Sequence, residues 1–454
     1  MYGHADFQGT TGLGMLTDQY ELSMVSSSLR SGHASTSCVF EVFTRHLPIG
    51  RRYGVVCGTA RLLDAIDAFR FTDDDIAWLV EHRVIDGPTV EFLRGYRFSG
   101  QVEGYPEGEV YFPYSPILTV RGSFAECVVL ETLVLSILNH DCAVAAAAAR
   151  MVTAAGGRSL IEMGSRRTNE MAATAAARAA HLAGFDATSN LAAGRLYGIP
   201  TTGTASHASV LLYSNETDAF HAQVAALGPG TTLLVDTYDI SRGIEHAVEV
   251  AGPALGAIRI DSGDLVVMAR QARGQLDRLG NTGTRIVVSG DLDEHSIAAL
   301  AAAPVDVYGA GTAVALGSGE PTASLVYKMV EADGRAVAKR SDRKASYGGP
   351  KTGHRAYRSS GTATDEVVVV GPARHQDASA ERAAREHFEL RRVTESLMVD
   401  GERTAAGAAD LDHGRRRLAA CLTTLPWEGL SLSRGEPALP TQFVVEAAGG
   451  MLDA

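Results

Sequence analysis

The run Ile199-Pro-Thr-Thr-Gly-Thr204-Ala205-Ser206-His207-Ala208 puts a histidine where a short extended stretch gives way to a predicted helix. A helix start offers unpaired backbone N–H groups and the positive end of the helix dipole, which suits a phosphate group. A histidine there can take up a proton or, as a nucleophile, a phosphoryl group. Taken alone, the tetrapeptide more commonly means a Ser206 N-cap followed by a solvated His207. Other short stretches carry groups of matching chemistry. Gly164-Ser-Arg166-Arg167-Thr168 offers two guanidinium groups, which are suited to bidentate phosphate contacts. Asp236-Thr-Tyr-Asp239 and Arg259-Ile-Asp261-Ser-Gly-Asp264 supply carboxylates of the kind that hold ribose hydroxyls or a hydrated Mg²⁺ beside a sugar phosphate. Ser289-Gly290-Asp291 and Gly309-Ala-Gly311-Thr312 are small turns whose N–H groups can meet phosphate. Each has an ordinary reading too: a capped turn for Asp-Ser-Gly-Asp, a solvated pair for Arg166-Arg167. It is their recurrence at the ends of successive apolar runs that points to a site.

Those runs are the elements that must position the groups. They are Leu160–Gly164, Ala187–Asn190, Pro200–His207, Leu233–Thr237, Ile258–Ser262, Ile286–Gly290 and Val305–Thr312. Helical stretches, such as Asn169–Leu182, Ile244–Val250, Leu265–Leu279 and Glu294–Ala302, lie between most of them. Successive ends fall about 17 to 30 residues apart, the length of a βα unit. This predicts an α/β fold with a parallel sheet, closed into a (β/α) barrel whose carboxyl rim carries the site. The alternative is a doubly wound sheet, but no Gly-x-Gly-x-x-Gly opens the series.

The chain before this region is α+β in character. A helix is predicted from Thr17 or Asp18 to about Leu29, a strand over Thr36–Arg45, and helices over Ala60–Phe69, Asp73–Trp78 and Thr89–Phe92. Short strands follow between Gln101 and Val120. The apolar run Cys127–Ala149 is interrupted by Glu131, Asn139, His140 and Asp141, so it reads as a long buried helix and not a membrane span. After Glu331 come the basic run Lys339–Lys344, the turn Gly348-Gly349-Pro350, a strand Glu366–Val370, a charged stretch Ala380–Arg391 that is helical or mobile, and a helix near Gly414–Leu418. The chain has 454 residues, enough for two or three domains. A net charge of −12 argues against nonspecific nucleic-acid binding. Five scattered cysteines without a Cys-x-x-Cys suggest a reducing cytoplasm, and Met1–Thr10 shows no secretory signal.

With these motifs in order, together with Thr17-Asp-Gln-Tyr20 and Thr188-Ser-Asn190, the chain resembles the nicotinate phosphoribosyltransferase family from Thr17 to about Lys351. The resemblance implies an irregular (β/α) barrel with a second α+β domain formed by the N-terminal and C-terminal segments. The expected division is residues 1–125, the barrel at 126–330, and 331–454 packing with the N-terminal domain. It implies ATP-coupled formation of nicotinate mononucleotide and diphosphate from nicotinate and 5-phosphoribosyl 1-diphosphate, in NAD salvage. By the same resemblance His207 is the histidine phosphorylated from ATP, and His207, Arg259 and Asp261 are catalytic. Tyr20, supplied by the partner of a homodimer, stacks on the pyridine ring. Arg259 and Thr204 lie at nicotinate, Gly311 and Thr312 hold the 5-phosphate, and Arg166 contacts a phosphate. Asp236 and Asp261 face ribose hydroxyls or Mg-bound water. Gly290 and Asp291 complete the substrate-binding set. Mg²⁺ arrives with the diphosphate, with no direct protein ligand.

Ser189 bears on specificity. The nicotinamide-using relative has an aspartate at the matching place, which would repel nicotinate's carboxylate, whereas a serine can donate to it. One departure is Met163, where the family usually has an aromatic residue on the ring's second face; a thioether can still contact a ring. The basic run Lys339–Lys344 reads equally as a cover for ATP or diphosphate and as a solvated loop. Quinolinate or nicotinamide phosphoribosyl transfer is the alternative activity. A quinolinate enzyme needs further cations and no phosphohistidine. A Schiff-base aldolase is disfavoured because the strand ends carry no lysine.

Overall fold

The computed structural model describes residues 12–339, 347–371 and 389–445, and the backbone of 451–453. The chain forms two compact units, Val144–Pro321 and a second made from the residues up to Ala143 and those from Thr322.

Strands and helices are numbered within the Val144–Pro321 unit. It runs β1 (Ser159–Glu162), α1 (Glu170–Ala183), β2 (Ala187–Thr188), α2 (Leu191–Tyr197), α3 (His207–Leu211), α4 (Glu216–Leu227), β3 (Thr232–Leu234), α5 (Ile240–Ala251), β4 (Ala257–Ile260), α6 (Leu265–Arg278), β5 (Arg285–Ser289), α7 (Glu294–Ala299), β6 (Val307–Ala310) and α8 (Thr312–Ala315). The six strands make one parallel sheet in the order β2-β1-β6-β5-β4-β3. Six of these eight helices begin where a side chain takes up free N–H groups. Asn169, Asn190, Asn215, Asp239, Asp264 and Asp293 cap α1, α2, α4, α5, α6 and α7. Two of the predicted strand-end carboxylates, Asp239 and Asp264, are therefore helix caps, while Asp236 and Asp261 are free for another use.

The seventh predicted strand does not join the sheet as one. Within Pro200–His207 only Thr201 pairs, in an isolated bridge to Thr188. Hydrogen bonds run from Thr188 N to Pro200 O (3.0 Å) and from Thr202 N to Thr188 O (2.9 Å). Pro200 has no N–H to donate and Gly203 has no side chain to pack, so pairing stops there. No ladder links this segment to β3, and the barrel is irregular and incompletely hydrogen-bonded rather than closed.

Side chains alternate between the two faces of a strand. On the inner face Ile161, Ala257, Val287 and Val307 pack into one apolar cluster. Two residues further along the same face stand Met163, Arg259, Ser289 and Gly309. An apolar floor thus passes directly into a polar rim at the carboxyl ends.

In the other unit, stretches from both ends of the chain share sheets. A seven-stranded antiparallel sheet has the order Arg335–Ala336, Leu325–Ala332, Ser37–Thr44, Leu118–Ser123, Gln101–Gly104, Glu395–Val399, Glu402–Arg403. A five-stranded sheet is built around Lys351–Tyr357, Ala363–Val370 and Thr441–Val445. The predicted helices are present: Gln19–Ser31 and Thr59–Ala68 within one or two residues of the expected bounds, and Asp73–Glu81, Gly87–Arg94 and Leu411–Thr424 longer than expected. The apolar run forms helix Glu131–Ala155. The stretch Phe124–Ala155 is long and apolar enough to cross a membrane, but 67% of its most apolar window is buried inside the protein, as in a core helix. Arg340–Lys344 and residues 380–388 lie outside the described residues; Glu389–Arg392, at the end of the predicted charged stretch, is a strand.

Candidate active site

A cavity of about 270 Å³ opens among the strand ends of the Val144–Pro321 unit. Its floor is Ile161, Thr232, Leu234 and Val287, and its rim gathers Met163, Arg166, Ser189, Thr204, His207, Arg259 and Asp261. The segment Thr202–His207, left unpaired by the sheet, forms one wall.

Arg259 sits at the centre of the rim. Its Nε donates to Ser289 Oγ (2.8 Å), Nη1 to the Ala205 carbonyl (3.2 Å) and Nη2 to Asp261 Oδ1 (3.1 Å). The guanidinium therefore has one orientation and fastens the histidine-bearing segment to the sheet. Ser289 Oγ in turn donates to Asp261 Oδ1. The Asp261 N–H donates to Asp236 Oδ2 (2.8 Å), which also accepts from Ser262 Oγ (2.7 Å). Asp236 Oδ1 is buried with no hydrogen-bond partner, a costly state unless a ligand supplies a donor or a cation.

His207 is the first residue of α3, half-buried, with Nδ1 3.1 Å from Thr237 Oγ1. Ser206 holds the cap position but makes no side-chain cap bond. The first N–H groups of α3 are thus left without that partner.

Met163 lies over the Cα of Gly309. A Cβ added at Gly309 would stand 2.9 Å from Met163 Sδ, so glycine there makes room for the thioether. The turn after β5 has positive φ at Gly290 (+106°) and Asp291 (+44°). A Cβ at Gly290 would meet the Asp261 carbonyl at 2.6 Å. A left-handed aspartate beside a site is the kind of local strain that functional turns carry. Gly311 and Thr312 open α8, and a Cβ at Gly311 would stand 3.2 Å from the Met163 carbonyl.

Of the residues expected from the sequence, Met163, Arg166, Ser189, Thr204, His207, Arg259 and Asp261 line the cavity. Asp236 and Gly290 touch Asp261, and Gly311 adjoins Met163. Asp291 and Thr312 lie in the adjoining turns, outside the lining. Tyr20 belongs to the other unit, where it is 46% exposed and hydrogen-bonded to Glu131. Sequence reasoning passed over Thr237 and Glu162. The available signal for Glu162 was a charge inside an otherwise apolar strand, Leu160-Ile-Glu-Met.

A parallel α/β sheet curled around a polar-rimmed cavity at its carboxyl ends defines an enzyme of the (β/α)-barrel class. Residues 15–139 match the nicotinate phosphoribosyltransferase (NAPRTase) N-terminal domain. The chain is 56% identical over 450 residues to nicotinate phosphoribosyltransferase pncB1 of Mycobacterium tuberculosis, covering 97% of each. It is 38% identical over 336 residues to the nicotinate phosphoribosyltransferase of Bacillus subtilis, covering 72% of this chain and 68% of that one. The human nicotinic acid phosphoribosyltransferase structure superposes with a TM-score of 0.78 at 25% identity, covering 95% of this chain and 98% of that one. A nicotinate-nucleotide pyrophosphorylase from Pyrococcus furiosus shares the fold, with a TM-score of 0.75 at 23% identity over 90% of this chain and 95% of that one. The chain belongs to the nicotinate phosphoribosyltransferase family and is an enzyme of that type.

Proposed function

We propose that the cavity is where nicotinate meets 5-phosphoribosyl 1-diphosphate to give nicotinate mononucleotide and diphosphate. The observation that carries this reading is the convergence of Arg259, Asp261, Ser189, Arg166 and His207 on one small cavity with an apolar floor. The ring rests on the floor beside Met163, with Thr204 and Arg259 at its polar edge and Ser189 donating to the carboxylate. Arg166 takes a phosphate, while Gly290, Asp291, Gly311 and Thr312 offer backbone or hydroxyl donors to the phosphosugar. Asp261 and Asp236 face the ribose, where fixed negative charge stabilises an oxocarbenium-like transition state. The unpartnered Asp236 Oδ1 suits a ribose hydroxyl or a Mg²⁺-bound water. Mg²⁺, carried by the diphosphate, would neutralise the leaving group.

ATP is the third substrate in this reading. With Nδ1 held by Thr237, His207 presents Nε2 for phosphoryl transfer. The phosphohistidine then adds negative charge and acceptor oxygens beside the diphosphate site, so that ATP hydrolysis drives synthesis. A homodimer brings Tyr20 of the partner to the ring. The exposed apolar residues Leu211 (62%), Leu212 (79%) and Tyr213 (38%), at the end of the His207 helix, support an interface there. Sedimentation as a monomer at working concentration would remove that part of the reading.

Product analysis with nicotinate, nicotinamide and quinolinate, each with and without ATP, tests the whole. Nicotinate mononucleotide formed fastest with ATP is expected; preference for either other base overturns the substrate assignment. Ser189→Asp should weaken nicotinate binding, and unchanged affinity refutes its role. His207→Ala should abolish the ATP-dependent gain, and full coupling in that variant refutes the phosphohistidine.

A further inference from the structure

Glu162 is 1% exposed at the carboxyl end of β1. Strand alternation sets it on the face opposite Ile161 and Met163, behind the cavity wall and outside its lining. Its Oε1 accepts from the Gly164 N–H, the first N–H of the Gly164–Thr168 loop that carries Arg166. A Cβ at Gly164 would stand 2.8 Å from that oxygen, so the close approach needs a glycine. Its Oε2 accepts from Thr188 Oγ1 at 2.5 Å, and Thr188 Oγ1 accepts from the Asn190 N–H at 3.0 Å. Its main-chain carbonyl accepts from the Ser189 N–H at 2.8 Å. A further tie, Asn190 Nδ2 to Ser165 Oγ at 3.0 Å, joins the same two loops. One buried carboxylate thus holds the start of one loop and, through Thr188, the peptide just after Ser189 in the other. Burial pushes the Glu162 carboxyl above its ordinary range, the donors from Thr188 and Gly164 opposing this only in part. A buried carboxylate with no cation beside it is costly, and its hydrogen bonds to the two loops are what it provides in return.

We propose that Glu162 is a positioning residue for substrate recognition: from behind the cavity, without touching substrate, it sets the distance between Arg166, at a phosphate, and Ser189, at nicotinate. The inference rests on the reading of Arg166 and Ser189 as substrate contacts. Glu162→Gln keeps an acceptor for the Gly164 N–H and replaces the other oxygen by a donor, so it loosens the Thr188 arm. Glu162→Ala releases both.

The test is steady-state kinetics of Glu162→Gln, Glu162→Ala, Arg166→Ala and Ser189→Ala with nicotinate and 5-phosphoribosyl 1-diphosphate, beside thermal melting. The expected result is a KM for nicotinate raised about tenfold in Glu162→Gln, with kcat changed less than about twofold and the melting midpoint held. Glu162→Ala should be worse, and the partial rescue by glutamine marks positioning through hydrogen bonds. If Ser189→Ala raises KM for nicotinate and Arg166→Ala raises KM for 5-phosphoribosyl 1-diphosphate while Glu162→Gln leaves KM for nicotinate unchanged, or lowers only the melting midpoint, the positioning role is overturned and the site reading stands. If Arg166→Ala leaves KM for 5-phosphoribosyl 1-diphosphate unchanged and Ser189→Ala leaves KM for nicotinate unchanged, the site reading fails and this inference with it.

Discussion

Two arginines, each set among carboxylates, do different work in this protein. Arg355 is completely buried, and its Nε donates to Glu366 (2.8 Å), Nη1 to Glu109 (3.3 Å) and Nη2 to the Val110 carbonyl (2.8 Å). Glu366 also accepts from Ser115 Oγ (2.6 Å) and Tyr105 OH, and Glu109 from Arg391 Nη2 (3.0 Å) and Cys421 Sγ (3.0 Å). Protein groups saturate the network, which joins residues from both ends of the chain within one unit. Arg259 is also held by three acceptors, but its side chain keeps 13% of its surface open. Nearby Asp236 Oδ1 is buried with nothing to accept. The first network is complete without a ligand and serves cohesion. The second leaves hydrogen-bonding capacity open, which is what a binding site requires.

The largest effect expected from this contrast is on stability. Arg355→Met leaves the buried Glu366 without its cation and Glu109 with Arg391 alone, and should cost about 3–5 kcal/mol, read as a fall in the denaturant midpoint. A loss under about 1 kcal/mol would mean the network is not what holds that unit together. Arg259→Ala should lower kcat/KM by about 10² to 10³ with a nearly unchanged midpoint. If it instead unfolds the protein as Arg355→Met does, the distinction between the two arginines breaks down.

Acid should separate the regions as well. Burial opposes ionisation of Glu109, but Arg355 and Arg391 outweigh it and hold the carboxyl below its ordinary value of 4.5. A depressed carboxyl contributes stability that is present above its unfolded value and lost only as pH falls through the folded one. The Glu162 carboxyl is raised above 4.5 by burial, so it takes up a proton at a higher pH, where protonation favours the folded state. On acidification, KM for nicotinate should therefore rise more in the wild type than in Glu162→Gln, before melting changes. Parallel pH profiles in the two proteins would contradict this. The smallest effect is at Gly309→Ala. The new Cβ would stand 2.9 Å from Met163 Sδ, the flexible end of a side chain, and 3.2 Å from Ser289 Cβ, which needs to give by a few tenths of an ångström, so a rise of about twofold to fivefold in KM for nicotinate, without loss of folding, is expected.

Much of the barrel was legible because short apolar runs ending in small or polar residues, with helical stretches between most of them, are local patterns. Leu233–Thr237 and Ile258–Ser262 became strands ending near the predicted places. Pro200–His207 did not, because ladder formation depends on what lies alongside, and Pro200 and Gly203 gave pairing little to work with. The strand-end carboxylates illustrate the same limit. Asp236 and Asp239 look alike in sequence, yet Asp239 is a helix cap and Asp236 receives the Asp261 N–H.

The amino-acid order alone determined the βα rhythm and the chemical types at each strand end, and the resemblance carried by its ordered motifs implied the substrate to expect. These depend on residue identity and short spacing. Only the tertiary structure decided that Arg259 would fasten the histidine segment through Ala205, and that Met163 would find room over Gly309. It alone made Glu162, hidden within an apolar run, the tie between two loops. Such contacts join residues many positions apart, and their geometry exists only once parallel strands are in register and the chain between them has closed.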